Sequence, residues 1–167
     1  MDVSLQLNLR VRIEGLHFRL SNSVIVIEPD KLDDEYLHKL ENISKKLFDK
    51  LPHTPITAIG HNFKYKLEED ENFKIGSDFD AKLWHSLYSG VNSKGFELST
   101  LKHTIKLDDD FVLLNLSYSL SSEMKQLEMN FHYQVNQDKD KINDALLKYV
   151  KNYEKAEEFI KILINDE

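Results

Sequence analysis

The chain has 167 residues, of which 41% are hydrophobic, and its 29 acidic and 22 basic residues give a net charge of -7. A chain of this length can bury roughly 70% of its unfolded surface, and this hydrophobic fraction is too high for a disordered protein. The negative charge argues against a surface devoted to nucleic-acid phosphates, and the absence of cysteine excludes disulfides and thiolate metal sites. No apolar run approaches the ~20 residues of a membrane span, and the N-terminus lacks an export-signal pattern, so we expect no membrane segment and a cytoplasmic location.

The first third of the chain predicts two strands followed by a helix. Residues 5–13 alternate apolar and polar side chains. Residues 16–27 continue the alternation, with a bend or bulge at residues 21–23, and end in an apolar run. Residues 33–51 carry apolar side chains at spacings of three and four behind an acidic start, which is typical of an amphipathic helix. Pro52 and Pro55 end this helix, because proline lacks an amide donor and favours extended backbone before it.

The middle of the chain predicts a long strand and a short helix. Residues 56–67 form the strand, in which apolar side chains such as Phe63 point to one face and polar ones such as Lys64 point to the other. If this strand neighbours the preceding one, the intervening helix makes the two parallel. Residues 68–72 form an acidic loop, and residues 77–88 form a helix that opens with a sequence resembling a capping box.

The last part of the chain predicts three strands and a long helix. Residues 96–107, 111–120 and 125–135 are separated by short polar turns, so we expect an antiparallel meander. A single helix is predicted over residues 138–164, with an apolar stripe at heptad spacing. The stripe consists of Ile142, Leu146, Tyr149, Tyr153, Ala156, Ile160 and Leu163.

These elements together predict one α+β domain over residues 1–167. Its centre is a six-stranded sheet that is mostly antiparallel. The sheet is mixed if the long central strand has a parallel neighbour. Two long helices and the short helix cover the apolar face, and the polar face is left to solvent.

The polar face of this sheet is the first candidate site, because many basic side chains share its parity. They are Arg10, Arg12, His17, Arg19, Lys64, Lys66, Lys102 and Lys106. Such a face suits an anionic ligand or a nucleic-acid backbone. Exposed sheet faces also carry long polar side chains for solubility alone, and no aromatic side chain shares this face to stack on a base. The sequence favours the solubility interpretation and keeps binding of an anionic ligand or nucleic acid as the alternative.

Histidines and acidic runs are weaker candidates for a metal site. His61 and His103 share inward parity on strands, but no third ligand stands at a suitable spacing, and a core histidine is the simpler interpretation. The acidic residues 68–71 and 108–110 lack the glycine and ligand spacing of a calcium loop. We therefore predict no metal and no cofactor.

No constellation of residues predicts catalysis. The chain has no cysteine and no serine in a nucleophile elbow, and its five glycines form no phosphate-binding loop. The sequence thus favours a protein that is not an enzyme, and an enzyme of unrecognised type stays an alternative.

The last helix and the sheet edges favour a protein-interaction or assembly module that is homo-oligomeric, most simply a homodimer. A heptad stripe can pair with another helix, which makes Tyr153, Ile160 and Leu163 candidate self-association residues. Phe159 and Ile162 widen the stripe, and this width favours packing against the protein's own sheet instead. An open sheet also leaves edges that can pair across a two-fold axis.

The acidic charge, the possible oligomeric state and the combination of a sheet with long helices resemble export chaperones of the SecB type. The resemblance covers composition, and the strand order differs because a long helix interrupts the strands early. It implies chaperone activity, which is the third hypothesis after the interaction module and anionic-ligand binding.

Overall fold

The computed structural model shows two antiparallel sheets instead of the predicted single six-stranded sheet. The described residues are 8–67, 98–107, 112–121 and 125–164. The chain divides into two compact units, each discontinuous in sequence. The first unit takes its residues from Met1–Thr57 and Gln137–Val150, and the second from Ala58–Asn136 and Lys151–Glu167. The predicted fold is therefore wrong in its central feature, although the α+β class holds, and the single domain stays a prediction.

The first unit contains a three-stranded sheet in the order β1-β2-β3. Its strands are β1 (Asn8–Ile13), β2 (Leu16–Ser21) and β3 (Ile25–Pro29). Glu14 and Gly15 join β1 to β2 with φ values of 49° and 80°, as a tight hairpin turn requires. The chain turns again after Ser21, whose amide donates to the carbonyl oxygen of Val24 at 2.9 Å. The predicted strand over residues 16–27 is thus two strands, and its apolar run is the separate strand β3.

Two helices belong to the first unit. They are α1 (Asp34–Lys50), which packs against β3, and α2 (Lys139–Leu146), which packs against α1. The Asp33 side chain caps α1 by accepting a hydrogen bond from the Tyr36 amide at 3.1 Å. The helix ends at Leu51, immediately before the first proline. These bounds confirm the prediction for residues 33–51.

The single helix predicted over residues 138–164 is wrong, because the chain forms α2 and then α3 (Tyr149–Ile164). The break lies at Leu147 and Lys148. At the start of α3, the amide of Val150 donates to Oε1 of Glu41 at 2.9 Å. A carboxylate at a helix N-terminus satisfies an amide without an intrahelical partner and opposes the positive end of the helix dipole. This acceptor comes from α1, more than a hundred residues earlier, so the apolar period could not reveal the new start.

The second unit contains a four-stranded sheet in the order β4-β7-β6-β5, antiparallel throughout. Its strands are β4 (Ala58–Leu67), β5 (Leu98–Lys106), β6 (Val112–Ser121) and β7 (Lys125–Gln134). The predicted meander of the last three strands is confirmed, since β6 pairs with both β5 and β7. The parallel neighbour considered for β4 does not exist in the described sheets, where β4 pairs antiparallel with β7.

The second sheet has one buried apolar face and one polar face. Phe63 and Leu114 are each 5% exposed, whereas the neighbouring Lys64 is exposed. Helix α3 packs on the apolar face, where the ring of Tyr153 lies 5.8 Å from that of Phe63. The predicted layering of a dry face under a helix and a wet face opposite is confirmed for this sheet.

Some predictions fall outside the described residues. These are the helix over residues 77–88 and the acidic runs at residues 68–71 and 108–110. Within the described stretches, no helix combines the length and the apolar character that crossing a bilayer demands.

Candidate functional site

One face of β1 carries apolar side chains that the described structure leaves uncovered. Leu9, Val11 and Ile13 are 49%, 37% and 54% exposed. The register places them beside Leu20, Phe18 and Leu16 of β2 respectively, so they continue an apolar face that is buried at Leu16. The sequence predicted that residues 5–13 form a strand with one buried side, and over the described part of β1 that burial is wrong. Leu5 and Leu7 lie outside the described residues.

The uncovered area reaches β3 at one end of the sheet. Ile25 pairs with Leu20 and is 41% exposed. We call Leu9, Val11, Ile13 and Ile25 the apolar strip. Exposed apolar side chains are ordinary when scattered, but a contiguous group on one sheet face is typical of an interaction site.

The position of α1 explains why the strip is open. This helix packs against β3 and reaches the β1–β2 turn, where a Cβ on Gly15 would stand 2.3 Å from Cε1 of Tyr36. Lys39 of the same helix also donates from Nζ to the carbonyl oxygen of Glu14 at 2.7 Å. The contacts of α1 with this sheet lie at β3 and at the β1–β2 turn. Within the described residues, Leu9, Val11 and Ile13 of β1 and Ile25 at the far end of β3 remain exposed.

The opposite face of the first sheet carries ion pairs. Arg12 and His17 both contact the carboxylate of Asp30. Hydrogen bonding from Arg12 is the main cause that lowers the pKa of Asp30, so this carboxylate stays ionised at neutral pH. In a second pair, Nη2 of Arg19 lies 2.5 Å from Oε1 of Glu28.

Arg10 differs from the other arginines of this face. It pairs in register with Arg19, so two guanidinium side chains stand on adjacent strands. Arg19 is balanced by Glu28, while no ion pair of Arg10 occurs within the described part of the chain. The edge strand β1 therefore presents a positive charge on one face and the apolar strip on the other.

The remaining predicted basic residues lie on the second sheet, so the single basic face predicted for one sheet is wrong. Lys64 and Lys66 are on β4, and Lys102 and Lys106 are on β5. These strands are at opposite edges of a four-stranded sheet, roughly 14 Å apart at ordinary strand spacing. Lys64 also lies 3.5 Å from Oε1 of Glu128. The lysines do not converge on one compact anion site, and anion binding by the individual residues stays a prediction.

A ladder of uncharged side chains lies on the polar face between these lysines. Asn130 of β7 donates to Oδ1 of Asn62 on β4 at 2.7 Å and accepts from Nδ2 of Asn115 on β6 at 3.1 Å. Asn115 in turn accepts from Oγ1 of Thr104 on β5 at 2.9 Å. The ladder thus joins all four strands in order. Strand parity predicted polar side chains at these positions. Their alignment across four strands depends on the pairing register, which the sequence did not show.

His61 lies in the core of the second unit and not in a paired histidine site. It is 5% exposed, and its Nδ1 accepts a hydrogen bond from Nδ2 of Asn152 at 2.9 Å. Asn152 also donates to the hydroxyl of Tyr133, whose ring centroid is 5.2 Å from that of His61. Burial lowers the pKa of His61 to about 4, so the ring is neutral at physiological pH. His103 is exposed on β5, the far edge strand, so these two histidines cannot share a ligand.

The sequence analysis did not single out Asn152. Its spacing of three from Tyr149 and four from Ala156 places it on the buried side of the last helix, and this was the available signal. Among the described side chains, no group of three histidine, cysteine, aspartate or glutamate residues converges as metal ligands do. The buried polar cluster has the arrangement of a structural hydrogen-bond network.

An apolar cavity of about 310 Å³ lies between α3 and strands β5 to β7. Leu114 and Phe131 line it from the sheet, and Phe159 lines it from the helix. Its charged lining residues are Lys155 and Glu158, which carry opposite charges on the same helix. A specific small-molecule site combines an apolar lining with convergent polar groups that orient the ligand. The two opposed charges favour no particular charged ligand.

The predicted self-association residues lie on α3. Tyr153 packs against Phe63 within its own unit, in agreement with the intramolecular interpretation of the stripe. Ile160 is half-buried, and the side chain of Leu163 is outside the described set. Ile162 is 68% exposed. Self-association through this helix stays a prediction.

The described residues form an α+β structure with two sheets, and the smaller sheet has exposed apolar side chains on its edge strand β1. No protein-family model, curated protein or solved structure matches the chain.

Proposed function

We propose that this protein is a non-enzymatic protein-interaction module and that β1, through the apolar strip, is its docking surface. The observation that carries the proposal is the exposure of Leu9, Val11 and Ile13 along an edge strand. Covering the exposed portions of these side chains would contribute roughly 2–4 kcal/mol to an association. No described strand pairs with the outer edge of β1, whose backbone donors and acceptors can therefore pair with a further strand.

The other sheet edges fit this role less well. Strand β3 ends in Pro29, which has no amide donor, and α1 packs against it. The edge strands β4 and β5 carry the outward lysines Lys64, Lys66, Lys102 and Lys106. Lysine on an edge strand is a common means of discouraging strand addition. Only β1, among the described edges, combines an uncovered apolar face with an edge free of proline and lysine.

The other hypotheses have less support. Arg12, Arg19 and Lys64 are already held in ion pairs, which does not favour binding of an anionic ligand. Chaperone activity and a cytoplasmic location stay predictions. Homo-oligomerisation is one form that docking at β1 can take, and the partner would then be a second copy of the chain.

Site-directed photo-crosslinking in living cells tests the proposal. A benzoylphenylalanine in place of Val11 is expected to form crosslinks to another protein chain, identified by mass spectrometry of the joined peptides. The matched control places the same group at Ile162, which is also apolar and exposed but lies on α3. Crosslinks from position 11 should disappear in a Leu9→Ser background. Absence of crosslinks from position 11, or equal yields from both positions, would refute docking at β1.

A further inference from the structure

We propose that the partner presents an extended segment in which apolar and acidic side chains alternate, and that this segment adds to the free edge of β1. This inference rests on the proposed function and specifies the chemistry of its partner. Addition of a strand puts alternate side chains of the partner on opposite faces of the sheet. One set would lie beside Leu9, Val11 and Ile13, and the other would lie beside the guanidinium of Arg10.

The protein's own sheet shows what its arginines accept. Strand β3 and the residue after it supply Glu28 to Arg19 and Asp30 to both Arg12 and His17. On the apolar face, Ile25 and Ile27 of β3 pair with Leu20 and Phe18. From Ile27 onward, this segment alternates apolar and acidic side chains, and its two carboxylates, Glu28 and Asp30, pair with the basic side chains of the polar face.

No equivalent segment serves the other side of the sheet in the described structure. Arg10 pairs with Arg19 across β1 and β2, and Glu28 balances only Arg19. A carboxylate directly opposite Arg10 on an added strand would have its Cβ about 5 Å from that of Arg10. Opposite charges in such a cross-strand pair are favourable, and like charges are unfavourable. The local charge thus selects an acidic side chain at this position.

A second copy of β1 does not meet this requirement. In an antiparallel pair of identical strands, a two-fold axis at Val11 sets Arg10 against Arg12 of the other copy. An axis at Arg10 or at Arg12 sets that arginine against itself. With the axis at Arg12, Arg10 would meet Glu14 of the other copy, but Glu14 lies in the turn and its carboxylate is 3.1 Å from Lys39. Like charges directly opposite destabilise each of these arrangements.

Synthetic peptides test the inference with the full chain. A capped, fluorescently labelled peptide of eight residues, alternating valine and glutamate, is compared with peptides alternating valine with lysine and valine with serine. A fourth peptide has four valines followed by four glutamates, which keeps the composition but removes the alternation. Binding is measured by fluorescence anisotropy at low and high salt, and hydrogen exchange with and without peptide locates the binding site.

The alternating valine–glutamate peptide should bind most tightly, by about fivefold over the serine peptide, as one favourable cross-strand charge pair allows. High salt should reduce this difference. Hydrogen exchange should show new protection in Asn8–Ile13. The variant Arg10→Glu should reverse the preference in favour of the lysine peptide, and Arg10→Ser should abolish the preference between charges. Circular dichroism shows whether each variant is folded.

Each other outcome overturns the inference in an identifiable way. If the serine and glutamate peptides bind equally and both protect β1 against hydrogen exchange, docking of a strand at β1 stands, and the proposed preference for acidic side chains is wrong. If no peptide binds and light scattering shows a dimer that Val11→Lys dissociates, the occupant is a second copy, and the proposed function stands. If no peptide binds and the chain is monomeric, the inference is wrong, and the crosslinking experiment decides the proposed function separately. Equal binding of the non-alternating peptide would also overturn it.

Discussion

Acidification is expected to destabilise the second unit because it protonates His61. In the folded protein, burial lowers the pKa of this ring from 6.5 to about 4, whereas in the unfolded chain it returns to its ordinary value. Between these pH values the unfolded state binds more protons than the folded state, so stability falls as pH falls through this window. Burial is the cause of this shift, and the contacts of the ring with Asn152 and Tyr133 involve no carboxylate that would stabilise an imidazolium.

The magnitude follows from the two pKa values. At about 1.4 kcal/mol per pH unit, the difference between 6.5 and about 4 corresponds to at most about 3.5 kcal/mol. Between pH 7 and pH 5 the expected loss is about 2 kcal/mol, because the folded state is still largely unprotonated at pH 5. Below pH 4 both states are protonated at His61, and the loss of folding stability caused by this ring reaches its full value.

Urea unfolding at pH 7, 6 and 5, followed by circular dichroism, measures this loss. The variant His61→Gln removes the titrating group, so its loss of stability between pH 7 and pH 5 should be smaller than that of the wild type by about 2 kcal/mol. His53→Gln is the matched control, because His53 is exposed, and it should behave like the wild type. Equal pH dependence in the two variants would refute the argument, as would an NMR titration that places the pKa of His61 near 6.5.

Three further substitutions are expected to reduce stability, as measured by urea unfolding. Gly15→Ala should cost at least about 1–2 kcal/mol, because Gly15 has a φ of 80° and lies against the ring of Tyr36; unchanged stability would contradict this close approach. Asn130→Ala should cost about 2 kcal/mol through the loss of two ladder hydrogen bonds, and a neutral effect would show that water replaces them. Glu41→Ala should cost about 1–2 kcal/mol by uncapping Val150, with reduced protection of the first turn of α3 against hydrogen exchange; unchanged protection would contradict the capping role.

The sequence predicted elements whose signals are local. An acidic N-cap, an apolar period and two following prolines placed α1 to within one residue at each end. Strand parity predicted the buried face that contains Phe63 and Leu114. Short polar connections predicted the pairing of β5, β6 and β7, because neighbours in sequence that are joined by short turns pair antiparallel.

The division into two sheets could not be predicted in this way. Alternation of side chains shows that a strand has two different faces, but it does not show which strands share a sheet. The break between α2 and α3 also depends on residues that are distant in sequence, because the amide of Val150 at the start of α3 donates to Glu41 of α1. The apolar period on either side of the break is the same with or without that contact.

The candidate surface combines local and tertiary information. The residue order alone determined that Leu9, Val11 and Ile13 share one face and Arg10 the other, because successive side chains of a strand alternate. Only the tertiary structure determined that α1 packs against β3 while Leu9, Val11 and Ile13 stay exposed in the described structure, and that Glu28 pairs with Arg19. Burial and charge pairing depend on which distant elements meet in space, and a strand's own sequence does not contain that information.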